Sequence, residues 1–174
     1  MRVVAGDHRG RTLRAPAGSR TRPTADRVRE ALFSMLGPVT GLSVLDLFAG
    51  SGALGIEAAS RGAGAVAFVD SDPRAVAAIR RNLAELELEA SVSRADALAF
   101  LSRRRGRFDL VLVDPPYSCA PRLAVPLAER LPGVLAGGAQ IVTESDRRHP
   151  LELSLPLIRE RAYGDTRIAI HVGP

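Results

Sequence analysis

Three glycines in the first third of the chain are spaced as in loops that bind nucleotides. A mostly apolar run at 44–47 leads into Gly50, Gly52 and Gly55, after which an alanine- and leucine-rich stretch begins. We expect a buried strand, a tight turn and the start of a helix. Glycine lets a ligand approach the main chain, and the helix N-terminus supplies unpaired N–H groups. With Asp70 twenty positions beyond Gly50, the spacing satisfies the dinucleotide-binding fingerprint.

The negative charge of Asp46 helps to decide which nucleotide-containing cofactor can bind at the glycine turn. It lies at the end of the predicted strand, four positions before Gly50, and two phosphates beside a carboxylate repel it strongly in a low-dielectric cleft. S-adenosylmethionine suits the position better, because its ribose can bind an acid such as Asp70 and its ammonium group seeks acceptors near Asp46. A nicotinamide cofactor and a glycine-rich turn without a ligand are the alternatives.

The most specific motif is Asp114-Pro115-Pro116-Tyr117, directly after the apolar run 108–113. Two prolines fix the backbone and remove two donors, so the Asp114 side chain and the Pro115 carbonyl form a rigid pair of acceptors. Accepting from an exocyclic amine favours a pyramidal, nucleophilic nitrogen, while Tyr117 stacks on the base and holds it for attack on a methyl group. Asp114 also stabilises the developing charge and helps to remove the proton. The base must be unpaired or flipped out; an ordinary Pro-Pro turn is the alternative.

Acids at two further strand ends complete the candidate cofactor site. Ligands of open parallel sheets lie beyond the carboxyl ends of the strands; Asp70 there suits a ribose diol, and Asp96 can accept from the adenine amine. Each has a structural alternative, because Asp70 can merely end its strand and Asp96 can cap a helix. The candidate cofactor-binding residues are Asp46, Phe48, Ala49, Gly50, Ser51, Gly52, Asp70, Ser71, Asp96 and Ala97.

The elements that must position these residues alternate regularly. We expect strands at 43–48, 65–69, 90–93, 108–113 and 139–143, with helices at 53–61, 73–86, 97–104 and 121–131 between them. This alternation predicts a doubly wound, mostly parallel α/β sheet with helices on both faces. Two extended runs flank Tyr163-Gly164-Asp165 and predict an antiparallel C-terminal hairpin at the sheet edge.

The N-terminal segment is organised differently from the rest of the chain. Short alternating runs predict a hairpin over residues 2–14, and a loop rich in proline and glycine follows. Thr24 then caps a helix that runs to residue 36, with Arg27 and Arg29 on its polar face.

The positive charge of the chain lies in this segment. Residues 1–30 hold eight arginines and three acids, a net of +5, which equals the charge of the whole chain. We expect contact with an anionic polymer, nucleic acid before membrane, since no amphipathic apolar face accompanies the charge. A solvated arm is the alternative, and the even charge of residues 31–174 favours a monomer. The candidate RNA-binding residues are Arg9, Arg11, Arg20, Arg22, Thr24, Arg27 and Arg29.

Composition excludes several classes of protein. The 174 residues suit one domain with a real core, and no run approaches the roughly 20 apolar residues of a membrane span. The single cysteine, Cys119, excludes an internal disulfide framework and fits a reducing cytoplasm. Three scattered histidines predict no metal site. Arginines at 103–105 suit a helix end, and whether Arg147, Arg148 and His149 border the substrate stays open.

Two sets of motifs make the chain resemble a known family. The glycine turn, Asp70 and the 114–117 motif resemble the Rossmann-like S-adenosylmethionine-dependent methyltransferases, whose amino-methylating members carry an Asp/Asn-Pro-Pro-aromatic motif. Motifs before the glycine turn resemble the RsmD family, which methylates N2 of one guanine in 16S ribosomal RNA of the small subunit. They are Arg2-Val3-Val4-Ala5-Gly6, Gly10-Arg11, Thr21-Arg22-Pro23-Thr24 and residues 26–33.

The resemblance implies a seven-stranded sheet with the last strand antiparallel, an RNA-holding extension at 1–23 and a methyltransferase domain at 24–174. It also implies S-adenosyl-L-methionine as cofactor and 16S rRNA or the 30S subunit as partner. An adenine-N6 DNA methyltransferase is the first alternative, because Asp114 and Tyr117 match those enzymes too, although the chain has no room for a separate DNA-reading domain. A nicotinamide-dependent reductase is the second.

Overall fold

The computed structural model describes residues 1–17, 26–103 and 106–174. Helices and strands alternate along most of this length, and no helix in it is long and apolar enough to cross a bilayer. The helices are α1 Asp26–Leu36, α2 Ala53–Ser60, α3 Pro73–Glu85, α4 Ala97–Arg103 and α5 Ala120–Arg130, with a 3-10 helix at Leu131–Val134. The strands are β1 Ser43–Leu47, β2 Ala65–Asp70, β3 Ser91–Arg94, β4 Phe108–Val113, β5 Leu135–Asp146, β6 Leu157–Tyr163 and β7 Thr166–Val172.

The strands form one sheet in the order β3-β2-β1-β4-β5-β7-β6. β1 to β5 pair in parallel, whereas β7 runs antiparallel to both β5 and β6. The predicted fold, a doubly wound seven-stranded sheet with a C-terminal antiparallel hairpin at its edge, is confirmed. The strand order reverses between β1 and β4, so the carboxyl edge of these two strands is the switch point where ligands of such sheets bind.

Side-chain caps set the starts of two crossover helices. Asp72 accepts a hydrogen bond from the backbone N–H of Arg74 (2.8 Å) and precedes the first-turn proline of α3. Asp96 accepts from the N–H of Ala99 (2.9 Å) and so begins α4. Both starts agree with the sequence prediction, because a cap depends only on residues two or three positions apart. The cap predicted for α1, Thr24, lies outside the described residues.

β5 is longer at both ends than the sequence predicts. Gly137 and Gly138 predict a turn ahead of a strand at 139–143, but both glycines lie within β5. They fall where its pairing with β4 shifts register, between Phe108 and Leu110. Glycine is tolerated at such an irregularity within a strand. The two glycines therefore do not mark the start of β5, although the sequence suggests that they do. At the other end, β5 continues for three residues beyond Thr143, which pairs with the last residue of β4.

Apolar side chains cover both faces of the sheet. On one face, Phe68 of β2 belongs to a buried cluster that includes residues of α1, α2 and α3. On the other face, Val111 of β4 belongs to a cluster that includes residues of α4 and α5. This two-sided burial explains why the strands β1, β2 and β4 are mostly hydrophobic, whereas the edge strand β3 is polar.

The first seventeen residues, here called the N-terminal arm, pack onto the first of these clusters. The predicted hairpin is present as a single bridge between Arg2 and Thr12, with the N–H of Val3 donating to the carbonyl of Arg11 (2.9 Å). Val3 and Leu13 are almost fully buried in the cluster. The division of the chain after residue 23 stays a prediction, since that position lies outside the described residues.

Candidate active site

Sheet register brings the predicted cofactor and catalytic motifs to one edge. In β1, Leu47 pairs with Val69 of β2 on one side and with Val113 of β4 on the other. The residues that follow these strand ends therefore emerge side by side: the glycine turn in the middle, Asp70 on one flank and Asp114 on the other. The switch point of the sheet thus joins the two motifs that the sequence predicts to act together.

The glycine turn has a left-handed backbone at three positions. Phe48, Gly50 and Gly52 have φ angles of 60°, 57° and 80°, and a non-glycine residue such as Phe48 rarely adopts this conformation. A Cβ at Gly50 would meet nothing closer than the carbonyl oxygen of Phe48 at 3.9 Å, whereas one at Gly55 would lie 2.3 Å from the Phe68 ring. Gly55 is therefore required for packing, and Gly50 presents an open stretch of backbone to a ligand.

Asp46 is directed at the helix that follows the turn, not presented to solvent at its mouth. It is 1% exposed, and its Oδ2 accepts a hydrogen bond from the N–H of Gly55 (2.8 Å). Gly52, the N-cap of α2, has no side chain to satisfy that first turn, so Asp46 acts as its cap from the neighbouring strand. Burial raises the pKa of Asp46 to about 7; the Gly55 hydrogen bond opposes the rise and the Asp70 charge adds to it. Its interaction with a cofactor ammonium group stays a prediction.

Asp70 braces the glycine turn from the adjacent strand end. One carboxylate oxygen accepts from the N–H of Gly50 and the other from the N–H of Asp72, both at 2.8 Å. Each oxygen keeps a free lone pair, and the residue is partly exposed. Asp96 is exposed at the end of β3, where it caps α4. Asp96 is therefore a helix cap, as the structural alternative predicted. Both acids lie at the carboxyl edge of the sheet, where they could bind the hydroxyl and amine groups of a ligand.

The catalytic motif leaves β4 as a partly exposed corner. Asp114 is half-buried and Pro115 buried, while Pro116 and Tyr117 are exposed. The Tyr117 hydroxyl lies 3.3 Å from the Thr166 Oγ1 of β7, a contact absent from the sequence prediction. Partial burial, and to a lesser extent nearby carboxylates including Asp114, raise the pKa of the Tyr117 phenol, while the Thr166 hydrogen bond opposes the rise. The ring is therefore held at the corner as a neutral phenol.

Glu144 is a functional candidate that sequence reasoning missed. Val113 pairs with Thr143, so Glu144 follows in β5 beside Asp114, and it is only 4% exposed. Its negative charge is among those that raise the pKa of Tyr117. The signal available in the sequence was an acid at the end of the predicted strand 139–143; Asp46 and Asp114 were likewise identified at the ends of predicted strands.

Arg29 does not lie on a polar face of α1, so the prediction that it binds RNA is wrong. The residue is fully buried; it donates to Asp26 (2.9 Å) and to the carbonyl of Arg2, and its Nε lies 3.4 Å from Glu57 of α2. Three and four positions on from it are the buried residues Leu32 and Phe33, which share its helix face. That spacing could have predicted from the sequence that Arg29 is buried. The prediction instead followed its charge, which is typical of an exposed residue.

The other predicted RNA contacts divide into two groups, one exposed in the structure and one outside the described residues. Arg9, Arg11 and Arg27 are exposed. Arg9 lies in the hairpin tip, which packs on Ser60 at the end of α2, and Arg11 donates to the carbonyl of Glu85 at the end of α3 (2.6 Å). Ser60 lies at the end of α2 away from the glycine turn, whereas Asn82, three residues before Glu85 in α3, hydrogen-bonds to the turn at Ser51. The predicted contacts outside the described residues are Arg20, Arg22 and Thr24.

The described residues contain no cluster of histidine, cysteine and acidic side chains that could hold a metal ion. Cys119 donates weakly to the carbonyl of Pro116 (3.1 Å), which helps to close the turn of the catalytic motif. Arg147 and Arg148 are exposed beyond β5, and Arg148 pairs with Asp146 (3.3 Å). Whether they contact the substrate stays a prediction.

The sheet order, the glycine turn after β1, the acid after β2 and the Asp-Pro-Pro-Tyr corner after β4 define the class: a Rossmann-like S-adenosylmethionine-dependent methyltransferase. Solved structures with this fold include complexes with S-adenosylmethionine and with SAH, at 24% and 15% sequence identity, a likeness that shows the fold. The open backbone of Gly50 and the acceptors of Asp70 and Asp96 fit the hydroxyl and amine groups of that cofactor.

A family model described as "Conserved hypothetical protein 95" matches residues 1–172, and the chain belongs to that family, the RsmD family. YlbH of Bacillus subtilis is 42% identical, with the alignment covering 98% of each chain. Ribosomal RNA small subunit methyltransferase D of Haemophilus influenzae is 37% identical over 94% of this chain and 89% of that protein. The solved structure of yhhF from Escherichia coli superposes with a TM-score of 0.84 at 34% identity, covering 99% of this chain and 97% of that one.

Proposed function

We propose that this methyltransferase transfers a methyl group from S-adenosylmethionine to the N2 amine of a guanine in 16S rRNA. The observation that carries the proposal is the pairing of Leu47 with Val113, which sets Asp114 beside the glycine turn at the switch point. Family membership supports the RNA class of substrate, since a relative aligned over nearly its whole length is named for the small-subunit ribosomal RNA.

The chemistry at the corner follows from the acceptors it carries. The Asp114 carboxylate and the Pro115 carbonyl accept the two hydrogens of the target amine, which frees the nitrogen lone pair from the ring. Tyr117 offers its ring face to the base, and its hydroxyl contact with Thr166 holds that ring in place. Asp114 then receives the proton that the methylated nitrogen loses. A base reaches this corner only when it is unpaired or flipped out.

The cofactor site lies on the other side of β1 from that corner. The bound cofactor supplies a methyl group activated by its positive sulfur. Gly50 leaves room for close approach to the main chain, while Asp70 and Asp96 are placed to accept from ribose and adenine respectively. Asp70 already fixes the N–H of Gly50, so a single carboxylate both shapes the turn and binds the ligand.

The charge distribution supports a structured RNA as substrate. Arg27 lies at the start of α1, whereas Arg9 and Arg11 lie near the ends of α2 and α3. The arm carries two of these exposed arginines and α1 carries the third, so the basic surface is built from separate parts of the chain. An RNA that presents several phosphates on an extended surface can contact all three at once. We propose that a 30S subunit or its assembly intermediate provides that surface, and that the enzyme acts as a cytoplasmic monomer.

Methyl-transfer assays separate this proposal from its alternatives. The protein is incubated with labelled S-adenosylmethionine and either 30S particles from a strain lacking the homologous enzyme, 30S particles from the parent strain, or duplex DNA. We expect label only in the first, and nucleoside analysis should identify N2-methylguanosine. Label confined to DNA as N6-methyladenine would overturn the proposal. Equal labelling of the two kinds of 30S particle would overturn the choice of that guanine.

A further inference from the structure

Asn82 is a buried polar side chain that joins two parts of the molecule. It lies in α3 and is 1% exposed. Its amide oxygen accepts from the N–H of Arg14 (2.9 Å), and its amide nitrogen donates to the carbonyls of Arg14 (3.0 Å) and Ser51 (2.9 Å). Both N–H groups and one oxygen lone pair are thus used. Arg14 belongs to the N-terminal arm and lies 68 residues before Asn82. Ser51 belongs to the glycine turn and lies 31 residues before Asn82.

The hydrogen bond to Ser51 fixes one peptide plane of the glycine turn. The carbonyl of Ser51 and the N–H of Gly52 belong to the same peptide group. Asn82 holds the carbonyl, and the N–H donates to the carbonyl of Ala49 (2.7 Å). A planar peptide held at both its C=O and its N–H has a fixed orientation. Gly52 within it and Gly50 directly before Ser51 both have a left-handed backbone. The shape of the cofactor turn therefore depends on the position of the Asn82 amide.

The position of that amide depends in turn on the arm. Two of its three hydrogen bonds are to the main chain of Arg14, so displacing the arm leaves a buried amide without those partners. The arm also contacts the turn directly, where the Ser51 hydroxyl donates to the sulfur of Met1 (3.3 Å). It contacts α2 as well, where the N–H groups of Val4 and Ala5 donate to Glu57 (2.8 and 2.9 Å). These two amides do not bond to Asn82, so they report on the arm, and comparison with Asn82→Ala isolates the part of the coupling that passes through Asn82.

We propose that Asn82 couples the N-terminal arm to the cofactor turn, so that ordering either one favours the other. The inference rests on the proposed function, in which the arm meets RNA and the turn meets S-adenosylmethionine. Coupling between two sites is reciprocal: cofactor binding holds the arm in its docked position, and RNA held by a docked arm strengthens cofactor binding. Asn82 is a positioning residue, since it touches neither substrate.

Hydrogen exchange measures the link without RNA and without turnover. Exchange of the Val4 and Ala5 amides is followed with and without saturating S-adenosylmethionine in the wild-type protein, in Asn82→Ala and in Glu85→Ala. Glu85 is the matched control, because it binds the Arg14 side chain from the same helix (2.8 Å), and its other hydrogen bonds within the described residues are to Arg81 and Arg11. We expect the cofactor to slow both amides in wild type and Glu85→Ala but not in Asn82→Ala. Calorimetry should show weaker cofactor binding by Asn82→Ala, within the roughly 5- to 150-fold range typical of coupled sites.

Cofactor-dependent protection of Val4 and Ala5 that persists in Asn82→Ala would overturn the proposal, as would its absence in the wild type. If Asn82→Ala does not fold, Asn82→Ser provides the comparison, since a hydroxyl is too short to hold both Arg14 and Ser51. Failure to methylate guanine would leave the exchange result unaffected. Unchanged exchange in a protein that methylates 30S particles would overturn the coupling alone.

Discussion

Asp46 and Asp114 belong to neighbouring strands, yet their carboxyl groups have opposite surroundings. Asp46 is sealed under the start of α2 and is bound by a backbone N–H, whereas Asp114 stands half-buried at an open corner. Burial makes the charged form of Asp46 costly, and exposure leaves Asp114 able to accept from a ligand. Two acids that look alike in sequence thus differ in surroundings: Asp46 caps a helix, while Asp114 lies where the proposed acceptor role needs it.

The raised pKa of Asp46 predicts a specific pH dependence of folding. Between 3.8 and about 7 the folded chain holds a proton on Asp46 that the unfolded chain has released. The stability of the wild type relative to Asp46→Asn should therefore fall as pH rises from about 4 to about 7. Urea unfolding of both proteins at several pH values checks this. Parallel stability curves would show that burial does not perturb the carboxyl group.

Asp114 is predicted to matter for turnover and not for cofactor binding. Asp114→Ala removes an acceptor that acts as charge develops, so turnover should fall by about 10²- to 10³-fold. Affinity for S-adenosylmethionine, measured by calorimetry, should stay near the wild-type value because the cofactor residues are unchanged. Tyr117→Phe is the control: it keeps the ring and loses only the Thr166 contact, so most activity should remain. An active Asp114→Ala enzyme would remove the acceptor role.

At the scale of elements, a buried ionic network fastens the arm and α1 to α2. Glu57 is fully buried and accepts from the arm at Val4 and Ala5 and from the side chain of Arg61 (2.8 Å), with Arg29 close by. Such a group is costly to bury unless it is fully paired. The helix that begins at the cofactor turn is therefore also the one that anchors the arm.

Arg29 and Arg27 of α1 should behave in opposite ways when replaced. Arg29→Met removes a buried hydrogen-bonding cation from Asp26 and from the carbonyl of Arg2, while Glu57 keeps Arg61 and two backbone N–H groups. It should lower the free energy of unfolding by about 1–3 kcal/mol. Arg27→Ala, at an exposed position two residues earlier, should change it by no more than about 0.5 kcal/mol. Denaturant unfolding measures both. Equal effects would contradict the buried position of Arg29.

At the scale of the whole molecule, the N-terminal arm lies on the face of the sheet that carries α1, α2 and α3. The excess of positive charge belongs to residues 1–30. The arm reaches from Ser60 at the end of α2 to Asn82 of α3, which hydrogen-bonds to the glycine turn. We expect the exposed arginines of the arm and of α1 to form an extended basic surface, which suits a polyanion better than a free nucleotide.

Salt dependence of RNA binding tests that arrangement. Replacing Arg9, Arg11 and Arg27 together by alanine should lower the slope of log affinity against log salt by about one unit for each lost phosphate contact. Arg130→Ala, a single replacement on α5 at the opposite face of the sheet, is the control and should leave the slope unchanged. Binding to 30S particles is measured at several salt concentrations. An unchanged slope in the triple variant would show that these arginines do not bind RNA phosphates, and would favour the alternative of a solvated arm.

The sequence by itself determined the order of helices and strands, the caps at Asp72 and Asp96, and the two motifs that meet at the sheet edge. These features depend on periodicity and on residues a few positions apart, which a linear pattern contains. Only the tertiary structure decided that Arg29 turns inward, that Asp46 caps α2, that Glu144 stands beside Asp114 and that Asn82 joins the arm to the glycine turn. Each of these depends on which strands and helices become neighbours, and a polar residue gains its role from partners that the chain brings close only on folding.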